Sequence, residues 1–317
     1  MVGRLDTVII GSGITGITCA RLLHDAGVSV RVVDKGRGIG GRIATRRAIV
    51  CGHEIGFDHG AQYFSPHDLA FLKFLVTAGA VNWNEHDERE RLVGTSSMSA
   101  IPRMLAQGLP ISQQVEVKRL SWEDSYWLFE SADERFSAER LILTVPAPQA
   151  LQLLGDADLL TSDLQTVEMS PCLTLMAAFP KGDMKPFNSR LDLGHPLAWI
   201  AQDSSKPDRT MELITWVAQA GPEFSADHIE CSPDTITTMM LPLLCEIIGA
   251  LPKGALYAQA HRWRYAQAVR PVGRRFLNDI TRNLWVGGDW CLGSRAEDGW
   301  FSGEAIAQSI LDAEHAH

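Results

Sequence analysis

The chain has few cysteines and few lysines, and it has no long apolar run. Its six cysteines, at positions 19, 51, 172, 231, 245 and 291, never fall as C-x-x-C. That excludes a zinc ribbon, argues against a disulfide scaffold and points to a reducing cytoplasm. No apolar stretch reaches the roughly 18 residues of a membrane span. Val8 to Cys19 could pass for a signal sequence, but it carries three glycines at motif spacing and no small-residue cleavage site follows it. The ten histidines show no H-x-x-x-H spacing and G-x-S-x-G is missing, so neither a metal centre nor a hydrolase elbow is expected. A formal net charge of −9 argues against nucleic-acid binding. The 317 residues, 45% hydrophobic and 21% charged, suit one or two globular domains. Only 7 of the 29 basic residues are lysine. So strong an arginine skew suits planar, bidentate anion recognition, although GC-rich coding produces the same bias.

What is present begins at the N-terminus. Thr7 to Ile10 is a short apolar run, suited to a strand buried on both faces. Gly11-Ser12-Gly13-Ile14-Thr15-Gly16 follows at once, then Ile17, Ala20, Leu22 and Leu23 recur at helical spacing up to Gly27. Val28 to Val33 reads as a second strand ending at Asp34. Strand, glycine turn, helix, strand and acid in this order form a dinucleotide fingerprint. Gly11 permits the tight turn, Gly13 lets a diphosphate approach the backbone, and Gly16 lets helix pack on strand. The helix N-terminus presents N–H groups to phosphate, and Asp34 is placed for a ribose.

The next residues narrow the nucleotide. Asp34-Lys35-Gly36-Arg37-Gly38-Ile39-Gly40-Gly41-Arg42 resembles the second signature of the amine-oxidase-like FAD superfamily, with Gly41 and Arg42 at the diphosphate. Asp58-His59-Gly60-Ala61-Gln62-Tyr63-Phe64 and His261-Arg262-Trp263-Arg264-Tyr265-Ala266 resemble signatures of the renalases and related amine oxidoreductases. Trp285-Val286-Gly287-Gly288-Asp289-Trp290-Cys291, with Glu297 to Gly303, resembles the family's C-terminal flavin motif. The resemblance implies a bacterial-type renalase: an FAD-dependent oxidase of amine-oxidase fold, holding FAD non-covalently. It also implies oxidation of 2- or 6-dihydro isomers of NAD(P)H, with dioxygen reduced to hydrogen peroxide. On the same resemblance Gly60, Ala61, Gln62 and Tyr63 lie by the flavin, Val117 contacts adenine, and Asp289, Trp300 and Ser302 serve the cofactor. Ser302 and Gly303 are expected to start the last helix, aimed at the flavin.

The implied architecture is α/β: a Rossmann-type FAD-binding domain, 1–64 with 98–150 and 275–317, and an inserted sheet-based substrate domain, 65–97 and 151–274. Strands are expected at Val115 to Leu120, Ser125 to Phe129, Leu141 to Val145, Leu173 to Phe179, Leu197 to Ala201 and Met211 to Val217. Helices are expected at Met98 to Ala106 and Thr235 to Leu251. Gln62, Tyr63 and His261 are the candidate catalytic residues, His261 either orienting a carboxamide or sitting in the core. Trp263, Arg264 and Trp290 are substrate candidates, although aromatic residues serve cores equally well. Arg262, Arg264, Arg270, Arg274, Arg275 and Arg282 crowd one stretch, suited either to a dinucleotide's phosphates or to a solvated strand edge. Lys181, Lys185, Lys206 and Lys253 show nothing distinctive in context. The expected partners are a dihydronicotinamide dinucleotide and dioxygen, with no nucleic acid and no membrane, and the protein is a monomer or weak dimer. A flavin amine oxidase or desaturase, and a non-catalytic flavin-fold carrier, are the competing readings.

Overall fold

The computed structural model describes residues 4–83, 90–155, 158–182, 187–209 and 212–315. Met211, the expected start of one strand, and Lys185 lie outside them. The chain folds into two units, Met1–Gly41 with Pro102–Met169 and Ala268–His317, and Arg42–Ile101 with Ser170–Gln267. This division differs from the expected one in four places: 42–64 and 98–101 belong to the second unit, 151–169 and 268–274 to the first. The cause of the first difference is packing. The antiparallel hairpin Thr45–Val50 and His53–Asp58 buries Val50, Ile55 and Phe57 against Met176, Ala178, Leu213 and Val217 of the second unit.

The first unit is built on a sheet ordered Leu277–Asp279, Leu284–Val286, Arg135–Leu143, Arg4–Ile10, Val30–Asp34, Ile111–Gln113. Four of these five pairings are parallel, and only Leu277–Asp279 runs antiparallel to its neighbour. Side chains alternate strictly. Val8, Ile10, Leu141, Leu143, Leu284 and Val286 enter one core, while Ile9, Ile142 and Trp285 enter another with Ile17 and Ile306 from flanking helices. Burial on both faces explains why these strands read as unbroken apolar runs. The helix Ile14–Asp25 ends just before Gly27, whose φ of +87° requires glycine.

Two expected elements differ. Val115 to Leu120 is not a strand: pairing ends at Gln113, Gln114 turns at φ +61°, and strand resumes at Arg119. The last helix spans Ala296–His315, so Ser302 and Gly303 lie inside it and do not start it. Asp298 accepts from the Arg295 N–H at 2.9 Å and fixes the earlier start.

The second unit carries a sheet ordered Ser189–Leu191, Trp199–Gln202, Ile214–Gln219, Glu168–Phe179, Tyr257–Arg270. One face packs on the helix Pro233–Ile248 through Ile236, Met240, Leu244 and Ile248. That helix starts two residues earlier than its apolar pattern suggests, because Ser232 caps it and Pro233 occupies its first turn. Among the described residues no helix is long and apolar enough to cross a membrane.

Candidate flavin site

In the first unit the glycine turn forms an open cradle at the head of the first helix. Gly11 turns at φ +114°. A Cβ on Gly16 would lie 2.0 Å from the Gly11 carbonyl oxygen, so this is where helix meets turn. A Cβ on Gly13 would meet nothing within 4 Å. The helix that follows has no side-chain cap and no acidic residue in its first turn. An uncapped helix N-terminus beside open space is a site for an anion. Asp34 is fixed at its edge, its carboxylate accepting from Ser12 N at 2.6 Å, Ser12 Oγ at 2.8 Å and Gly36 N at 2.6 Å. A carboxylate has about four acceptor sites, which leaves capacity for a ribose hydroxyl. Gly40 N donates to the Ser12 carbonyl, and Gly41, at φ +54°, comes so close that its Cβ would lie 3.3 Å from Gly13 Cα. Val115 N donates to the Asp34 carbonyl, which carries the segment leading to the buried Val117 alongside.

The C-terminal motif joins the same cradle. A Cβ on Gly299 would meet Ile14 Cγ2 at 2.8 Å and Thr15 Oγ1 at 3.0 Å, and one on Gly303 the Thr15 carbonyl at 2.4 Å. These two glycines, one helical turn apart, let the last helix lie against the start of the first. The buried Asp289 neighbours Gly299 there. Ser302 is fully buried and its hydroxyl accepts from Gly288 N at 3.0 Å, which pins the Gly287–Gly288 turn. Trp300 is nearly buried, edge-on to Phe301. Trp290 is corrected: its side chain is wholly enclosed in the unit's core and its indole donates to the Val145 carbonyl at 3.0 Å, so no face is left for a substrate. The Cys291 thiol is buried beside it and pushed up to about 12 by that burial, which makes it a poor nucleophile toward a cofactor.

In the second unit the loop after Asp58 is tightly tied. The Arg42 carbonyl accepts from Ala61 N at 2.8 Å, and the Arg42 guanidinium donates to the Ala266 carbonyl at 2.9 Å. A Cβ on Gly60 would overlap the Arg42 carbonyl at 1.9 Å. The Gln62 amide nitrogen donates to the Asp58 and Gly60 carbonyls, so the group braces its own loop. His59, His261 and Trp263 form one cluster, with ring centroids 4.4–5.0 Å apart. Trp263 Nε1 donates to the His59 carbonyl at 2.9 Å.

Burial, His261 and Arg46 push His59 down to about 3, and burial, Arg46 and Arg262 push His261 down to about 4. Both rings are therefore neutral at pH 7. An unfolded histidine protonates near 6.5, so between about 6.5 and 3 the folded chain binds fewer protons than the unfolded one. Stability should then fall as pH is lowered through that window. Thermal unfolding at pH 7.5 and pH 5 checks this: the melting temperature drops in the wild type and drops less in His59→Leu.

The residue that sequence reasoning missed is Lys206. It is wholly buried, 3.1 Å from Asp58 and 2.6 Å from Asp203, with Arg209 2.7 Å from Asp58. The arginine-rich stretch, by contrast, has protein partners. Arg264 pairs with Glu230, Arg270 with Glu168, Arg274 with Asp163, and Arg282 with Asp158 and Asp279. Arg262 donates to the carbonyls of Ile229 and Cys231, and Arg275 lies over Phe301. Arg264, expected at a substrate phosphate, is about half exposed and holds its carboxylate bidentately.

An open glycine cradle, an uncapped helix and an acid at a ribose position fit FAD, and the fold and this site define an FAD-dependent oxidoreductase. The chain belongs to the family of flavin containing amine oxidoreductases, whose model matches residues 79–311, and residues 9–76 match an NAD(P)-binding Rossmann-like domain. It is 28% identical to a renalase from Mus musculus over 303 residues, covering 84% of this chain and 86% of that protein. An amine oxidase B from Canis lupus familiaris is 33% identical over 94 residues, 29% of this chain and 17% of that protein. Among solved structures, a putative protoporphyrinogen oxidase from Exiguobacterium sp. 255-15 superimposes with a TM-score of 0.77 at 13% identity, covering 98% of this chain and 99% of that one. A putrescine oxidase does so with a TM-score of 0.71 at 13% identity, over 98% and 99%.

Proposed function

We propose that this enzyme oxidises the 2- or 6-dihydro isomers of NAD(P)H to NAD(P)+, with dioxygen reduced to hydrogen peroxide. FAD, when bound, supplies the redox chemistry, accepting a hydride equivalent and delivering the electron pair to dioxygen. Gly11 to Gly16, Asp34, Lys35, Gly41, Arg42, Gly60 to Tyr63, Val117, Asp289, Trp300 and Ser302 bind or brace it non-covalently. Six free thiols accord with a cytoplasmic setting.

The observation that carries this reading is the neutral, cation-flanked surface around His261. A dihydronicotinamide gives up a hydride without prior deprotonation, so no general base is needed. His261, partly exposed and unprotonated, offers hydrogen bonding to a carboxamide without charge, and the Trp263 indole beside it offers an apolar plane. A protonated amine would instead meet Arg46 and Arg262, the two cations that add to burial in lowering His261. The resemblance to renalases, matched by similarity to the mouse renalase over most of the chain, supports the same substrate class.

Anaerobic mixing with borohydride-derived dihydro-NAD isomers, and separately with a panel of primary and secondary amines, tests it. The isomers should bleach the flavin within the mixing experiment and the amines should not. Bleaching by amines alone would make the protein an amine oxidase. A purified protein that is colourless and takes up no FAD would make it a carrier.

A further inference from the structure

Of the seven residues from Lys35 to Gly41, four are glycine, at 36, 38, 40 and 41. Such a stretch has little order of its own, because glycine loses the most conformational freedom on being fixed. Both of its ends belong to the cradle. At one end Gly36 N donates to the Asp34 carboxylate at 2.6 Å, and at the other Gly40 N donates to the Ser12 carbonyl at 2.9 Å. The neighbouring strand Ile111–Gln113 ties the rest. Asp34 and Gln113 are register partners in the parallel pair. Just beyond, Val115 N donates to the Asp34 carbonyl at 2.9 Å and Gln114 N to the Gly36 carbonyl at 3.0 Å. The Gln113 side chain reaches further along the loop. In the amide orientation that satisfies both of its ends, Nε2 donates to the Arg37 carbonyl at 3.2 Å and Oε1 accepts from Ile39 N at 3.1 Å. Among the described residues, Gln113 supplies both hydrogen bonds to the 37–39 stretch.

A carbonyl and an N–H on either side of one residue, here Gly38, are the pair that a parallel strand would bond. A side-chain amide carries the same donor and acceptor as a peptide group. Backbone pairing stops at Gln113 and the chain turns at Gln114, so the Gln113 amide continues the ladder where the backbone leaves it. We propose that Gln113 is a positioning residue for FAD. Its amide splints residues 37–39 and so fixes the span between the acid at Asp34 and the glycines at 40 and 41 before the cofactor arrives. This rests on the reading of the cradle as the adenosine-diphosphate end of an FAD site, and deepens it. A loop ordered in advance spares the incoming cofactor the entropy of ordering it.

The test titrates FAD into the full-length apoprotein of wild type, Gln113→Ala, Gln113→Met and Gln113→Glu, following flavin fluorescence, and melts each apoprotein without FAD. Gln113→Ala and Gln113→Met should raise the Kd for FAD by similar factors, roughly five- to one-hundred-fold, the range for losing two neutral hydrogen bonds. Gln113→Glu keeps an acceptor for Ile39 N but sets a carboxylate against the Arg37 carbonyl, and should bind FAD no better than Gln113→Ala. The visible spectrum of the flavin, once bound, should match the wild type in all three. Gln113 is only half-buried, so the apoproteins should melt within about 2 °C of one another. Wild-type affinity in Gln113→Met would show that the side chain acts through its shape, and would overturn the assignment. Wild-type affinity in all three variants would do the same, as would apoprotein melting temperatures that fall along with affinity, the mark of a brace for the fold alone. A wild type that takes up no FAD would instead overturn the cofactor reading, and this assignment with it.

Discussion

Replacing Asp58 by alanine should destabilise the protein by about 3–5 kcal/mol, the usual penalty for breaking a buried ion pair from one side. The melting temperature should fall by about 10 °C on that scale. Asp58 and Lys206 are both fully enclosed and Arg209 nearly so. The Asp58 carboxylate accepts from Lys206 Nζ, Arg209 Nη2, Thr45 Oγ1 and Met98 N, which fills its acceptor capacity. Burial alone would raise this carboxyl, but Lys206, Arg209, Thr45 and Met98 together hold it well below the usual carboxylate range. Asp203, raised by burial and by the Asp58 charge, is the less firmly ionised of the two. Alanine at 58 would leave Lys206 with Asp203 and the Gln62 amide oxygen alone, leave Arg209 without its carboxylate and orphan the donors at 45 and 98.

The pH dependence follows from the sign of the shift. A carboxyl with a depressed folded pKa stabilises above its unfolded value of about 4, and that stability is lost as pH falls through the folded value. The gap between wild type and Asp58→Ala should therefore be constant from pH 8 to 5 and close only in stronger acid. Urea unfolding at several pH values measures it. A cost below about 1 kcal/mol, the range of a solvated surface pair, would show that the cluster is not the brace described here. The function at stake is local, because His59, Gly60 and Gln62 follow directly from Asp58.

That brace illustrates what the sequence could not disclose. Lys206 lies in a short polar segment, Asp203-Ser204-Ser205-Lys206, that looks like a surface turn. Its partner Asp58 is 148 residues away, so no local period marks either residue as buried. The arginine-rich strand misled for the same reason. Its charges are matched by Glu230, Glu168, Asp163 and Asp158, each at least 34 residues distant, and Arg282 also by Asp279, three residues away. Composition registers the arginines without the carboxylates that pair with them. The nucleotide half was legible because its constraints are local. Glycines at 11, 13 and 16 answer to one turn, and the alternation of Val8, Ile9 and Ile10 answers to one sheet with two covered faces. The 42–64 stretch joined the wrong domain because family motifs say what a segment touches in chemistry, not which core its apolar side chains enter. Val50, Ile55 and Phe57 decided that.

Two glycines three residues apart should fail in opposite ways, which separates cofactor binding from folding. Gly13 has φ −71° and ψ 176°, backbone that any residue adopts, and its Cβ would enter open space. Gly13→Ala should therefore keep the wild-type far-ultraviolet dichroism and lose at most a few tenths to about 1 kcal/mol from the poorer helix cap. Its methyl would nonetheless stand where a diphosphate must meet the first-turn N–H groups. Losing two such charge-assisted bonds weakens FAD binding by a hundred-fold or more, roughly 3 kcal/mol. The variant should purify colourless yet folded, and titration with FAD measures the deficit. Gly16→Ala should do the reverse. Alanine gains about 1 kcal/mol of helix propensity, but its Cβ would lie 2.0 Å from the Gly11 oxygen and 2.6 Å from Thr144 Oγ1. The helix would have to move off the strand, at about 1–3 kcal/mol or more for overpacking. Its melting temperature should fall even with FAD removed from both proteins. If Gly13→Ala remained yellow with unaltered affinity, the cradle at the head of the first helix would not be where the diphosphate sits, and the acid at Asp34 would lose its assigned ribose with it.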